Sequence, residues 1–204
     1  MSRHSQSILS AAGAFALLAL SSHSAFAHTG IGVAGGFVSG FSHPIFGLDH
    51  LVAMVAVGLW GAQLGAPAIW VLPIAFPVVM AIGGLLGVLQ IPLPAVEVFI
   101  AASAIILGIM VAFAARPPLA IAGLIVAVFA IFHGHAHGME LPEAANPLAY
   151  GVGFVLATGL LHLCGIVIGL LVAWPVGARA VQVCGVLIAA LGCYFLADWA
   201  GFIA

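Results

Sequence analysis

Nine histidines, against five acids and three bases in 204 residues, make imidazole the dominant ionisable group of this chain. Two short stretches concentrate it. SHPIFGLDHLVAM, residues 42–54, places His43, Asp49 and His50 at the head of an apolar run, and FHGHAHGME, residues 132–140, places His133, His135, His137 and Glu140 at the tail of another. His133 and His137 are four residues apart, so on a helix they share a face and can reach one ion, while His135 points elsewhere and Glu140 follows one turn later. An intramembrane Asp-His pair is costly and marks a site that handles ions or lines a watery cavity. The competing reading of Asp49 and His50 is a structural hydrogen bond tying helices together. Imidazole and carboxylate without thiolate form a donor set for divalent Ni, Zn, Cu or Co, among which ligand type does not choose. Gly134 stands where H-E-x-x-H requires Glu, so a zinc peptidase would lack its general base.

The surrounding chain is 65% hydrophobic and 4% charged, with a mean hydropathy of +1.37, against roughly 25% charged residues in soluble domains. It is therefore expected to be an all-α integral membrane protein. Residues 1–27 read as a cleavable signal peptide, with Arg3, an apolar run from Ile8 to Leu20, and Ala25-Phe26-Ala27 as the cleavage site. A retained first helix is the rival. Cleavage would expose His28, whose α-amine and imidazole together can chelate a metal. Residues 28–204 then form one transport domain, a six-transmembrane-helix bundle with runs at 44–64, 68–90, 95–115, 117–137, 147–173 and 179–201. Pro44 suits the first turn of the first run. On that single helix His50 lies two turns below His43, about 9 Å deeper.

Arg116 and Arg179, the bases of the mature chain, fall in connections that face the cytoplasm if the mature N-terminus is exported. The same topology puts both termini in the periplasm of a bacterial inner membrane and gathers His28, His43, Glu97, the 133–143 cluster and Asp198 at the outer side. Glu97 opens the third run, as a ligand or as a partner of the helix dipole. His162 lies about 22 Å into the fifth run, either on a permeation path or in a helix contact. Pro73 and Pro77 should break the second run near Phe76. Gly83, Gly84, Gly87, Gly165 and Gly169 permit close backbone approach, and Cys164, Cys184 and Cys193 read as small buried packing residues. A net charge of -2 without a basic run excludes nucleic acid as a partner. No Walker motif is present, so this chain is not expected to hydrolyse ATP.

The motif His43-Pro44-Ile45-Phe46-Gly47-Leu48-Asp49-His50, followed by LVAM and later by HGHAHGME, resembles the HupE/UreJ family of hydrogenase and urease accessory membrane proteins. The resemblance implies a secondary permease for nickel, or for cobalt, that supplies metalloenzyme maturation, with His43, Asp49, His50, Glu97, His137 and Glu140 as its functional set and Phe76 in the transport path. It implies no enzyme and no prosthetic group; the metal is cargo. The alternatives are a metal-binding accessory or sensor protein without transport, and a membrane metalloenzyme or haem protein with His50 and His162 as axial ligands. The partners expected are the metal ion, the lipid bilayer and, indirectly, the hydrogenase or urease maturation machinery, with a homo-oligomer left open. Mass spectrometry of the mature protein should find His28 at the N-terminus; a chain still beginning at Met1 would instead make the first apolar run a retained helix.

Overall fold

In lipid, backbone N–H and C=O groups must pair within their own segment or within a closed barrel, and these long apolar runs take the helical solution. A computed structural model of the protein describes residues 32–141 and 146–203, which form seven α-helices and no strand. Residues 1–27, expected as a signal peptide, and His28 lie outside the described residues. In chain order the helices are α1 (Gly32–Phe46), α2 (Leu48–Leu64), α3 (Ala68–Val88), α4 (Val96–Ala112), α5 (Leu119–Met139), α6 (Pro147–Gly169) and α7 (Pro175–Trp199), with a 3₁₀ turn, Leu170–Ala173, between the last two.

α3, α5, α6 with its 3₁₀ extension, and α7 are long and apolar enough to cross a membrane, and α1 with α2 forms a fifth candidate as a broken pair bent by 76°. α4 has 17 residues, about 25 Å of helix against a hydrocarbon core of about 30 Å. The chain is a multi-pass membrane protein, and each expected apolar run is helical. The first departs most from expectation: Pro44 lies in the last turn of a separate helix, not in the first turn of a span. The break follows from Gly47, whose extended backbone (φ -77°, ψ 101°) caps α2. Its N–H donates to the His43 carbonyl at 2.9 Å to end α1, and its own carbonyl accepts from Leu51 at 2.8 Å to begin α2.

α3, by contrast, runs unbroken through Pro73 and Pro77. Proline is tolerated in such helices where neighbouring groups compensate the missing donors. Leu72, Phe76 and Met80 form the buried face of α3, and Trp70, Ile74, Val78 and Ile82 line an exposed apolar face. That inside-out pattern is what acyl chains as solvent permit. It also corrects the cysteines: Cys164 and Cys193 are exposed and Cys184 is half-buried, because small apolar groups face lipid without penalty.

α2 is the central helix, packed against α1, α3, α4, α6 and α7 and buried along almost its whole length. At its far end Trp60 Nε1 donates to the Ala115 carbonyl (2.9 Å) and Gln63 Nε2 to the Val111 carbonyl (3.0 Å), tying α2 to the C-terminal end of α4. Helix surfaces in lipid lack a hydrophobic drive to associate and rely on close packing through small residues. A Cβ on Gly58 of α2 would collide with the His162 carbonyl and lie 2.9 Å from Gly165 Cα of α6. Gly83 and Gly87 of α3 meet the Ile131 and His135 carbonyls of α5, while Gly134 and Gly138 of α5 meet the Met80 and Gly84 carbonyls in return.

Gly58→Ala should therefore lower the thermal unfolding midpoint in detergent, by overpacking of about 1–3 kcal/mol. Gly123→Ala, where a Cβ meets nothing within 4 Å, should leave the midpoint unchanged or raise it, since alanine is the better helix former. Equal midpoints for the two variants would show that the α2–α6 contact is not tight.

Candidate metal centre

The bend at Gly47 folds the end of α1 over the start of α2. His43 and His50 consequently face each other from two helices, with ring centroids 6.1 Å apart, and do not stack along one helix as expected. α5 supplies the opposing side. His133 and His137 project from one face, while Gly134 and Gly138 on the adjoining face pack on α3 and set the depth of the helix. The His50 ring lies 4.8 Å from that of His133 and 4.2 Å from that of His137, and His43 lies 4.8 Å from His137.

Two overlapping groups of donor atoms result. His50, His133 and His137, all buried, offer nitrogens within 4.8 Å of one another, and His43, His137 and Glu140 form a second, less buried group within the same limit. His137 belongs to both. Glu140, which caps α5, places Oε2 3.3 Å from His43 Nε2 and 4.0 Å from His137 Nδ1. The hydrogen-bonding contact from His43 holds the Glu140 carboxyl below the usual carboxylate range, so this group is an anion at neutral pH.

Asp49 joins neither group. Its Oδ1 accepts from the backbone N–H of His50 at 2.8 Å and lies 2.7 Å from Nδ1 of the same ring. A carboxylate accepts, so Nδ1 carries the proton and Nε2 keeps its lone pair. That nitrogen is buried with no partner. Metal-binding histidines characteristically donate their second nitrogen in this way, which fixes the tautomer and raises ligand basicity. Asp49 thus stands behind His50 as its orienting partner.

The remaining expected residues are placed apart. Glu97 and Asp198 line a cavity of about 220 Å³ whose wall includes Asp49. His135 Nε2 donates to the Ile91 carbonyl at 2.8 Å. His162 lies in a further layer, with the buried Phe76 ring between it and the cluster, 5.7 Å from His133 and 5.4 Å from His162. Neither ring nitrogen of His162 has a partner, nor does Thr158 Oγ1 one turn away. The backbone of Pro73 lies beside His162, and Pro77 cannot supply the intrahelical N–H that the Pro73 carbonyl would otherwise receive. Sequence reasoning missed Phe154, whose ring packs at a tilt 4.2 Å from that of His137, and Ser103, which meets His133. An apolar ring and a lone serine in apolar helices carry no signal beyond packing.

The outcome is a gathering of ionisable groups at one end of the bundle, where His43, Asp49, Glu97, Glu140 and Asp198 lie around the α1–α2 bend and its neighbours. Arg116 follows the opposite end of α4, next to the Trp60 contact. Protein HupE of Rhizobium leguminosarum bv. viciae is 45% identical over 172 residues, 84% of this chain and 90% of that protein. No solved structure matches the chain. The family model described as HupE / UreJ protein matches residues 16–195, spanning both histidine stretches, and the chain accordingly belongs to the HupE/UreJ family.

Proposed function

We propose that this protein is a secondary permease or facilitator for a divalent transition metal, with nickel the first candidate and cobalt the second, feeding hydrogenase or urease maturation from the inner membrane. The observation that supports this reading best is the sharing of His137 between two donor groups of different chemistry. The half-exposed group contains the Glu140 anion, which attracts a hydrated dication, and the buried group contains imidazole alone. An ion held by His43, His137 and Glu140 moves inward by exchanging the outer two for His50 and His133 while His137 keeps hold of it. Each step replaces part of the water shell before the rest is lost. Asp49, with Glu97 and Asp198 behind it, supplies the compensating negative charge.

Beyond the buried group the ion passes Phe76 to His162 and Thr158, which offer the next unpartnered donors along α6. In this reading the crossing count is six, with α4 as the short sixth span and the His43 end facing the periplasm. A haem protein is the weaker reading, because the Phe76 ring packs edge-to-face against His162 and the His50 ring is packed on His133 and His137. A non-transporting metal sensor would use the same two groups without flux.

Radioactive nickel uptake into proteoliposomes, measured beside equilibrium binding in detergent, separates these readings. Wild-type protein should both bind and transport; binding without flux would make it a sensor and defeat the permease assignment. His137→Ala should abolish both activities. Glu140→Gln should slow uptake severalfold at low nickel while leaving the buried group able to bind. For Asp49→Asn the expected effect is a loss of about 10–100-fold in nickel affinity, since the amide removes the charge and can present an N–H where His50 needs an acceptor. Unchanged affinity would remove Asp49 from its orienting role.

A further inference from the structure

We propose that Ser103 of α4 is a positioning residue for the buried cluster, fixing the tautomer of His133 so that Nδ1 is left as its metal-binding nitrogen. This rests on the reading of His50, His133 and His137 as a metal site. The reasoning starts from one proton. Ser103 Oγ lies 2.6 Å from the Ile100 carbonyl and 2.9 Å from His133 Nε2, and both contacts are buried. A carbonyl has no proton to give, and an oxygen pair at this separation is a hydrogen bond only with a proton between the atoms. The serine proton is therefore directed at Ile100, and Ser103 Oγ meets His133 as an acceptor. Nε2 of His133 must carry its own proton and donate it.

Neutral imidazole has one N–H, so His133 Nδ1 retains a lone pair. That atom is buried without a partner, as is Nε2 of His50. The two rings are thus held in opposite tautomers by two different acceptors: His50 by the Asp49 carboxylate, His133 by the Ser103 hydroxyl. A charged acceptor raises the basicity of its ring more than a neutral one does, so the ligands are unequal, with His50 the stronger donor.

Loss of the hydroxyl would change more than one bond. With no acceptor for Nε2–H, a buried donor would stand unsatisfied, which is costly. Moving the proton to Nδ1 removes that cost by letting His133 donate to a neighbouring imidazole lone pair within the cluster. One such bond occupies two of the nitrogens a metal needs. The local link also spans two helices, α4 to α5, at a position where the serine's back-bond to Ile100 already fixes its rotamer.

Ser103→Thr and Ser103→Val test this with equal side-chain volume and a single chemical difference. Nickel(II) alone is titrated into the full-length protein in detergent. Thr should hold affinity within about threefold of wild type, whereas Val should weaken it by about 10–100-fold. Equal affinities for Thr and Val overturn the proposal. Nitrogen-15 spectra of the histidine-labelled, metal-free wild type supply a second readout, with His133→Gln to assign the signal. The proposal expects the Nε2–H tautomer at His133, and an Nδ1–H tautomer overturns it even if the variants do not fold. Failure of wild-type protein to bind nickel would instead defeat the metal-site reading, while the tautomer measurement would still judge Ser103.

Discussion

An imidazole nitrogen buried without a partner loses the hydrogen bonds it had in water, at about 1–3 kcal/mol each, and this protein turns several of them towards one another. His50 Nε2, His133 Nδ1 and both nitrogens of His137 are buried and make no hydrogen bond to the protein. Left to themselves, four such atoms would pair or move towards solvent. They stay because the helices carrying them are locked from behind, and the same lack of partners leaves one lone pair on each of the three rings available to a cation. The fold can be understood as the means of holding this arrangement.

The means are small residues. Glycines let backbones approach where side chains would separate them, and in a bilayer that close packing replaces the hydrophobic drive absent between lipid-soluble surfaces. The tract from His133 to Gly138 combines both functions in one helix end: its glycines pack on α3 while His133 and His137 face His50. Rotation of α5 is therefore fixed by one face for the benefit of the other. α2 is constrained in the same manner by Gly58 against α6. Because α2 is packed against five other helices, His50 is held at the cluster.

Charge is graded along this scaffold. Glu140 is the more exposed carboxylate and lies 3.3 Å from His43 and 4.0 Å from His137, whereas Asp49 is withdrawn behind His50. A bare dication surrounded only by neutral imidazoles in a low-dielectric interior would be poorly compensated. Asp49 places an anion one ring away without occupying a coordination position. Glu97 and Asp198 share its cavity.

Spacing within the chain was enough to put His133 and His137 on one face, to mark Asp49 and His50 as an ionisable pair, and to find the apolar runs that became helices. Those properties depend on the period of a single helix, which sequence fixes. It did not reveal the break at Gly47: an apolar run reads continuously whether it is one helix or two, and proline at position 44 fits a helix start as well as an interior. Nor could it distinguish Asp49 as a ligand from Asp49 as an orienting acceptor, or foresee that His135 would donate to Ile91 and that Ser103 would meet His133. In a soluble protein, hydrophobicity would at least have said which faces point inward; in lipid both faces are apolar, and that signal is lost. Sequence alone determined the inventory of candidate donor groups and the helices that bear them. Tertiary structure decided which of these groups meet, because the choice was made by glycine contacts between helices distant in the chain.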